Sequence, residues 1–402
     1  MSLSSLNSEY WSNELQKTLF VENTAVFLAG NQGAKLLAKN GRKVHRPIIG
    51  KPRTGTYTPY TDITNNALNS SSEYLEVDTF KYASVEIDDT EVKQNLADAG
   101  AFAAMSIQKQ LNNVIEQAFL NLVKTTAGHS VVNQDVGVSG TGNIVASTAN
   151  INTIFGAANT KLGMTDVPRN VQKVAVVGPH MLEIMRDVKT QRETALGDSV
   201  QDNGIVGPWR GWTVVESNNL PFTATLGLAT NVTADDTITV AGVTFTAKAT
   251  PAAAGEFDIG SDADATRVIL ANAINGATTG KNSATGYFEV SDENRFILSE
   301  KRGIVATDNA SPNTITLVGF GDIVLSETLT DATDAWTAQT QHSWFGVRGA
   351  TDLVVQLDKV EVTRKEKGFA DITKALQGYG VKTFADGARL LVDVKIDASS
   401  WR

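Results

Sequence analysis

The feature that most constrains this chain is a proline-free stretch over residues 90–126 with helical periodicity. Leu111, Val114, Ile115, Ala118, Phe119, Leu122 and Val123 recur at spacings of three and four, which places them on one stripe. Lys109, Gln110, Asn112, Asn113, Glu116 and Gln117 fall outside it. Val92, Leu96, Ala99, Ala103 and Ile107 extend the stripe backwards through a run of small residues that lets another layer approach. Asp88 and Asp89 are candidate N-caps and Gly128 a candidate stop. A helix of that length is roughly 55 Å long, more than most globular domains are wide. It is a spine, and the rest of the chain must be built on it.

Composition narrows what that rest can be. With 402 residues, 42% of them hydrophobic, the chain is long enough for one large core or two to three domains. It has no cysteine, which excludes disulfides, thiolate chemistry and cysteine-based zinc sites. No run of eighteen apolar residues occurs, and residues 1–10 lack the pattern of a secretory signal, so synthesis in the cytosol is expected and no membrane is implied. Residues 231–341 hold fifteen Asp or Glu against six Lys or Arg, so that segment accounts for the whole formal net charge of -9.

Residues 1–45 read as an arm, in which Ser8 can cap a helix carrying Trp11, Leu15 and Leu19, and residues 27–37 continue with small and apolar side chains. The ionisable groups of the following stretch are basic: Lys35, Lys39, Arg42, Lys43, Arg46, Lys51 and Arg53, with His45 among them. They are candidates for contact with a neighbouring subunit or with nucleic acid, or simply for a solvated arm. Residues 46–89 change to period two, with short strands at 47–50 and 54–60, a polar loop at 65–72 and a long strand over 73–87. This extended hairpin has little core of its own and needs a partner surface.

After the spine the pattern predicts a helix over 150–162, a buried strand over 171–177, a helix over 179–188, and turns and a strand over 204–219 with Trp209 and Trp212 as core or interface residues. From 222 the composition shifts. Strands at 237–240 and 243–248 around the turn Ala241-Gly242, a helix over 264–274 ended by Gly276, and strands at 287–290, 295–299 and 314–318 read as a self-contained small α+β domain inserted into a larger one. The earlier style resumes at His342, with strands at 353–362 and 389–396.

No constellation for catalysis stands out. His45, His129, His180 and His342 are scattered without metal-ligand spacing. Residues 276–281 have the wrong spacing for a phosphate loop, with Asn282 where a hydroxyl residue is required, and Gly137, Gly140 and Gly142 lie in a polar loop. Asp88 and Asp89 are explained by capping, and Asp235 and Asp236 by turn chemistry. The expectation is a protein that is not an enzyme and has no catalytic, cofactor or metal site.

Three phrases carry a resemblance: Thr56-Tyr57-Thr58-Pro59-Tyr60 in the hairpin; Gly207-Pro208-Trp209-Arg210-Gly211-Trp212-Thr213-Val214 with Ser217-Asn218-Asn219-Leu220-Pro221; and Gly378-Tyr379-Gly380-Val381-Lys382. With the order of arm, hairpin, spine and later domains, the chain resembles the major capsid proteins of tailed bacteriophages, the Hong Kong-97 fold shared with herpesvirus capsids. The resemblance implies an α+β chain divided as follows: an N-terminal arm over 1–45, an extended β-hairpin loop over 46–89, the spine helix and part of a peripheral domain over 90–149, and the first part of an axial domain over 150–221. An insertion domain over 222–341 and a return to the axial and peripheral domains over 342–402 complete it.

It further implies a structural subunit of an icosahedral shell, assembled in the bacterial host cytoplasm. Its partners would be itself in hexamers and pentamers, a separate scaffolding protein, a portal and packaged dsDNA, and the acidic segment would face outward. A tail tube or sheath subunit and a carbohydrate-binding surface module are the alternatives.

Overall fold

The computed structural model describes residues 24–30, 41–50, 54–63, 65, 70–89, 99–165, 167, 170–190, 207–331 and 333–399. The helix expected around Trp11 lies outside the described residues. Along the chain, helix α1 (Ala25–Leu28) precedes the strands β1 (Lys43–Ile49), β2 (Ser70–Glu76) and β3 (Thr79–Asp88) and the long helix α2 (Ala99–Thr126). Then come β4 (His129–Val131), α3 (Ile151–Gly163), β5 (Lys173–Val177), α4 (Pro179–Thr190), β6 (Trp212–Glu216) and β7 (Pro221–Gly227). The acidic segment holds β8 (Thr237–Val240), β9 (Val243–Lys248), β10 (Glu256–Asp258), α5 (Ala263–Asn275), α6 (Asp292–Phe296), β11 (Val305–Asn309), β12 (Thr314–Phe320) and β13 (Leu325–Thr328). The chain closes with β14 (Trp336–Val347), β15 (Asp352–Arg364), β16 (Ala370–Lys382), α7 (Ala385–Ala388) and β17 (Leu391–Asp397).

The spine is present as α2, 28 residues and about 42 Å at 1.5 Å per residue. Residues 90–98, where it was expected to begin, are not among those described. Its buried stripe is Ile107, Leu111, Ile115, Phe119 and Val123, joined by Leu120, while Val114, Ala118 and Leu122 are half-buried. Two residues assigned to its polar side are in fact buried, because each meets a specific partner. Glu116 accepts from the Thr24 backbone N–H at 3.0 Å and from its hydroxyl at 2.6 Å, and the Gln117 amide donates to the Lys301 carbonyl at 3.3 Å. Of the aspartates expected as N-caps, Asp88 ends β3, and Asp89, helical immediately after it, is ion-paired to Arg364.

The chain forms two compact units, one of residues 1–116 and 351–384, the other of residues 117–350 and 385–402. In the first, β1 and β2 make an antiparallel hairpin from Lys43↔Glu76 to Ile49↔Ser70. The single long strand expected over 73–87 is two strands, broken at Val77 and Asp78. Val77 is buried and its N–H donates to the Arg42 carbonyl, which ends the hairpin and lets β3 leave for another partner. That partner is β16, itself paired with β15 in a three-stranded antiparallel sheet. Ala83 and Ala375, opposite each other there, pack with Ile107 and Leu111 of α2. The strand expected at 54–60 is irregular and closes in a turn, with Tyr60 at φ 68 and Thr61 donating to the Thr58 carbonyl.

The second unit is built on an eight-stranded sheet in which β14 is the common member. Its first half pairs with β7, its second half with β5, and β17 runs along its other edge. Phe345 on one face packs with Phe155 and Trp212, ring centroids 5.0 and 5.2 Å away, among side chains of α3 and α4. Trp344, on the opposite face by strand alternation, meets Phe119 of α2 at 6.5 Å.

The acidic segment is more tightly joined to this unit than a self-contained insertion would be. Its β11 and β12 continue the eight-stranded sheet through β7, while β10, β9, β8 and β13 form a second sheet. A single cluster that includes Phe222, Leu226, Phe245, Leu270 and Leu317 serves both. The β8–β9 turn has Ala241 and Gly242 at φ 54 and 83, the paired positive angles of a tight hairpin, and Gly276 ends α5 at φ 66. Two expected strands are absent. Residues 295–299 are helical because Ser291 caps α6 by accepting from the Asn294 N–H with Asp292 and Glu293 in the first turn, and residues 287–290 make only isolated bridges at Tyr287.

Candidate assembly surfaces

Of the seven basic candidates, Lys35, Lys39, Lys51 and Arg53 lie outside the described residues. The other three stand at the foot of the hairpin, and their charge is largely used within the chain. Arg42 and Lys43 both reach Glu76, at 2.7 and 3.0 Å, and Lys43 also sits 4.4 Å above the Tyr74 ring. Arg46 lies 5.2 Å over Phe384. Lys382 joins them from β16, donating to the Tyr74 carbonyl at 2.8 Å and lying over the same two rings. Cations stacked on aromatic faces and tied to one carboxylate clamp a two-stranded element whose core, among the described residues, is Leu75, Val77, Val354 and Phe384 with Val44 packed against them.

Beyond that foot the first unit exposes large apolar groups. Tyr57, Tyr60 and Ile63 in the hairpin loop are 63%, 103% and 74% exposed. On the three-stranded sheet, Phe80 and Tyr82 point away from the face that Ala83 presents to α2, and Leu376 lies opposite Tyr82, so three exposed apolar side chains share one face. Phe369, 78% exposed, stands at the turn between β15 and β16. Sequence reading missed these surfaces, since the alternation of β3 gives a face only once its partner strand is known.

One histidine has a clear structural use. His342 is 6% exposed, its Nδ1 lies 2.8 Å from an Asp393 oxygen and its Nε2 lies 3.2 Å from the Thr223 hydroxyl, so one ring ties together β7, β14 and β17. Burial pushes the His129 and His180 imidazoles below their ordinary range; Lys161 adds to this at His129, and Asp322 opposes it at His180. The ammonium of Lys124 is likewise lowered by burial, against the pull of Asp393. No group of three or more acidic or histidine side chains among the described residues is placed to hold a metal ion. No helix among them is long and apolar enough to cross a membrane.

In the acidic segment most cations are consumed internally. Lys248 pairs with Asp235, Lys281 and Arg295 with Glu289, and the fully buried Arg267 with Asp264 and Asp308. The acidic excess is therefore left to the surface.

No family model and no curated protein matches the chain. Solved structures do. A chain of Mycobacterium phage Che8 is 14% identical with a TM-score of 0.58, covering 99% of both chains. The capsid structure of the cyanophage P-SCSP1u is 13% identical at 0.53, covering 98% of this chain and 94% of that one. The head structure of Helicobacter pylori bacteriophage KHP40 is 8% identical at 0.52, covering 99% and 97%. At these identities the likeness is one of fold: the chain has the α+β capsid fold of the Hong Kong-97 type that its sequence resembles.

Proposed function

We propose that the chain is a structural subunit of a tailed-phage icosahedral capsid, made in the bacterial host cytoplasm and assembling with copies of itself into hexamers and pentamers around packaged dsDNA. The observation that carries this reading is the end-to-end correspondence of fold with phage capsid and head chains, which leaves neither partner with a large unmatched part. The surfaces fit it. A hairpin and sheet that expose Tyr57, Tyr60, Ile63, Phe80, Tyr82 and Leu376 are stable at high concentration only when neighbours cover them.

In this reading residues 46–89 would be the extended loop, 90–149 the spine and part of the peripheral domain, and 222–341 an insertion domain joined to the axial region. Lys35, Lys39, Lys51 and Arg53 are candidates for contact with neighbours or packaged DNA, while Arg42, Lys43 and Arg46 hold the hairpin to its foot. Scaffolding and portal proteins would direct closure, and the surplus acid of the elaboration would face outward, away from DNA. Sedimentation and native mass measurements on the purified chain test the reading. Rings of five and six subunits are expected as it is concentrated, and a chain that remains monomeric at every concentration would count against it.

A further inference from the structure

Asp352 opens β15 at the foot of the hairpin and is 5% exposed. Its backbone bridges to Gly30, whose N–H donates to the Thr351 carbonyl at 2.8 Å, and the Thr351 and Thr383 hydroxyls lie 2.9 Å apart beside it. Its Oδ2 is buried and has no hydrogen-bond partner among the described residues. Among the described residues no cation lies within ion-pair distance of this group, although two stand near. Lys382, opposite it in register, gives its ammonium to the Tyr74 carbonyl and ring, and Arg46 on β1 is spread over Phe384. Glu76 on β2 is already held by Arg42 and Lys43, and residues 24–30 bring no titratable side chain.

A buried carboxylate in that position bears its desolvation cost almost uncompensated, whereas the neutral acid does not. Burial accordingly raises Asp352 to about 6, with Arg46 pulling the other way. A raised acid binds its proton more tightly when the foot is seated than when it is open. The stabilisation is complete below the ordinary aspartate range and is lost as pH rises through about 6.

We propose that the foot of the hairpin is a proton-operated seat: residues 24–30 and β1 close over the start of β15 with Asp352 neutral, and the closure loosens when Asp352 ionises. The linkage belongs to the single subunit and does not depend on the capsid reading; only its use, to set the hairpin before a neighbour is engaged, rests on that reading.

Hydrogen exchange on the unassembled full chain, corrected for the intrinsic pH dependence of exchange, tests it. Peptides covering residues 24–30 and 43–49 are expected to gain about tenfold in protection between roughly pH 7.5 and roughly pH 5. Asp352→Asn is expected to be protected at both values with no pH dependence. Arg46→Gln, which removes the cation opposing proton uptake, is expected to move the midpoint to higher pH. Should Asp352→Asn fail to fold, the wild-type midpoint and its displacement in Arg46→Gln carry the test. A flat wild-type profile, an undiminished pH dependence in Asp352→Asn, or a midpoint that stays or falls in Arg46→Gln would overturn the proposal.

Discussion

The hairpin with its three-stranded sheet and the acidic segment are both β-rich, yet they settle their polar and apolar groups in opposite ways. The acidic segment completes itself. Arg267 is wholly enclosed with two carboxylates and the Leu228 carbonyl as partners, Asp334 accepts from the N–H groups of Ala229 and Thr230, and a large cluster lies under its two sheets. The hairpin region leaves large apolar groups such as Tyr60 and Tyr82 outside and relies on a small cluster around Leu75 and Phe384 and a clamp of stacked cations. The difference teaches that one region is finished within the chain, whereas the other leaves apolar surface that the proposed assembly would cover.

That comparison breaks first at Arg267. Replacing it in Arg267→Leu leaves Asp308 and the Leu228 carbonyl without their donor, and denaturant unfolding should register a loss of about 3–5 kcal/mol. If the loss is negligible, the acidic segment is not the self-satisfied region described. Leu75→Ala should remove about 2–3 kcal/mol from the hairpin foot alone. Limited proteolysis would show it as faster cutting between β1 and β2, with the unfolding of the acidic segment unchanged.

Exposed tyrosines sharpen the contrast from the other side. Tyr60→Ser and Tyr82→Ser should each change subunit stability by no more than about 0.5 kcal/mol. Each should weaken self-association by about 2 kcal/mol, roughly thirtyfold in the association constant, read by sedimentation against concentration. Equal effects on both quantities would mean that these rings serve the fold rather than a neighbour. The smallest effect is Ala241→Gly, where relief of a positive φ in the β8–β9 turn should add about 0.5–1 kcal/mol to thermal stability.

What could be read from sequence was what local pattern controls. The C-terminal part of the spine, helices α3 to α5, the turn at Ala241 and Gly242, and the strand at β5 all follow from periodicity and from residues that cap or turn. What escaped depended on distant pairing. Residues 73–87 look like one strand, and only the separate demands of β1 and β16 divide them at Val77. Residues 54–60 have the β-branched and aromatic content of a strand but no partner strand among the described residues, and Pro59 favours a turn there. Arg295 to Ser299 reads as apolar and extended until the cap at Ser291 is weighed.

The candidate surface was legible only by halves. The basic run is plain in the sequence, but that Glu76 and Tyr74 would hold two of its members, Arg42 and Lys43, follows from the β1–β2 register. Phe80 and Tyr82 emerge as an outer face only from the pairing with β16, and Asp352 as a buried carboxylate only from the seating of residues 24–30.

Electron microscopy of the chain produced with and without a candidate scaffolding protein tests the central claim most directly. The account predicts closed polyhedral shells, or their five- and six-fold rings. Uniform tubes, or small oligomers under every condition, would contradict it.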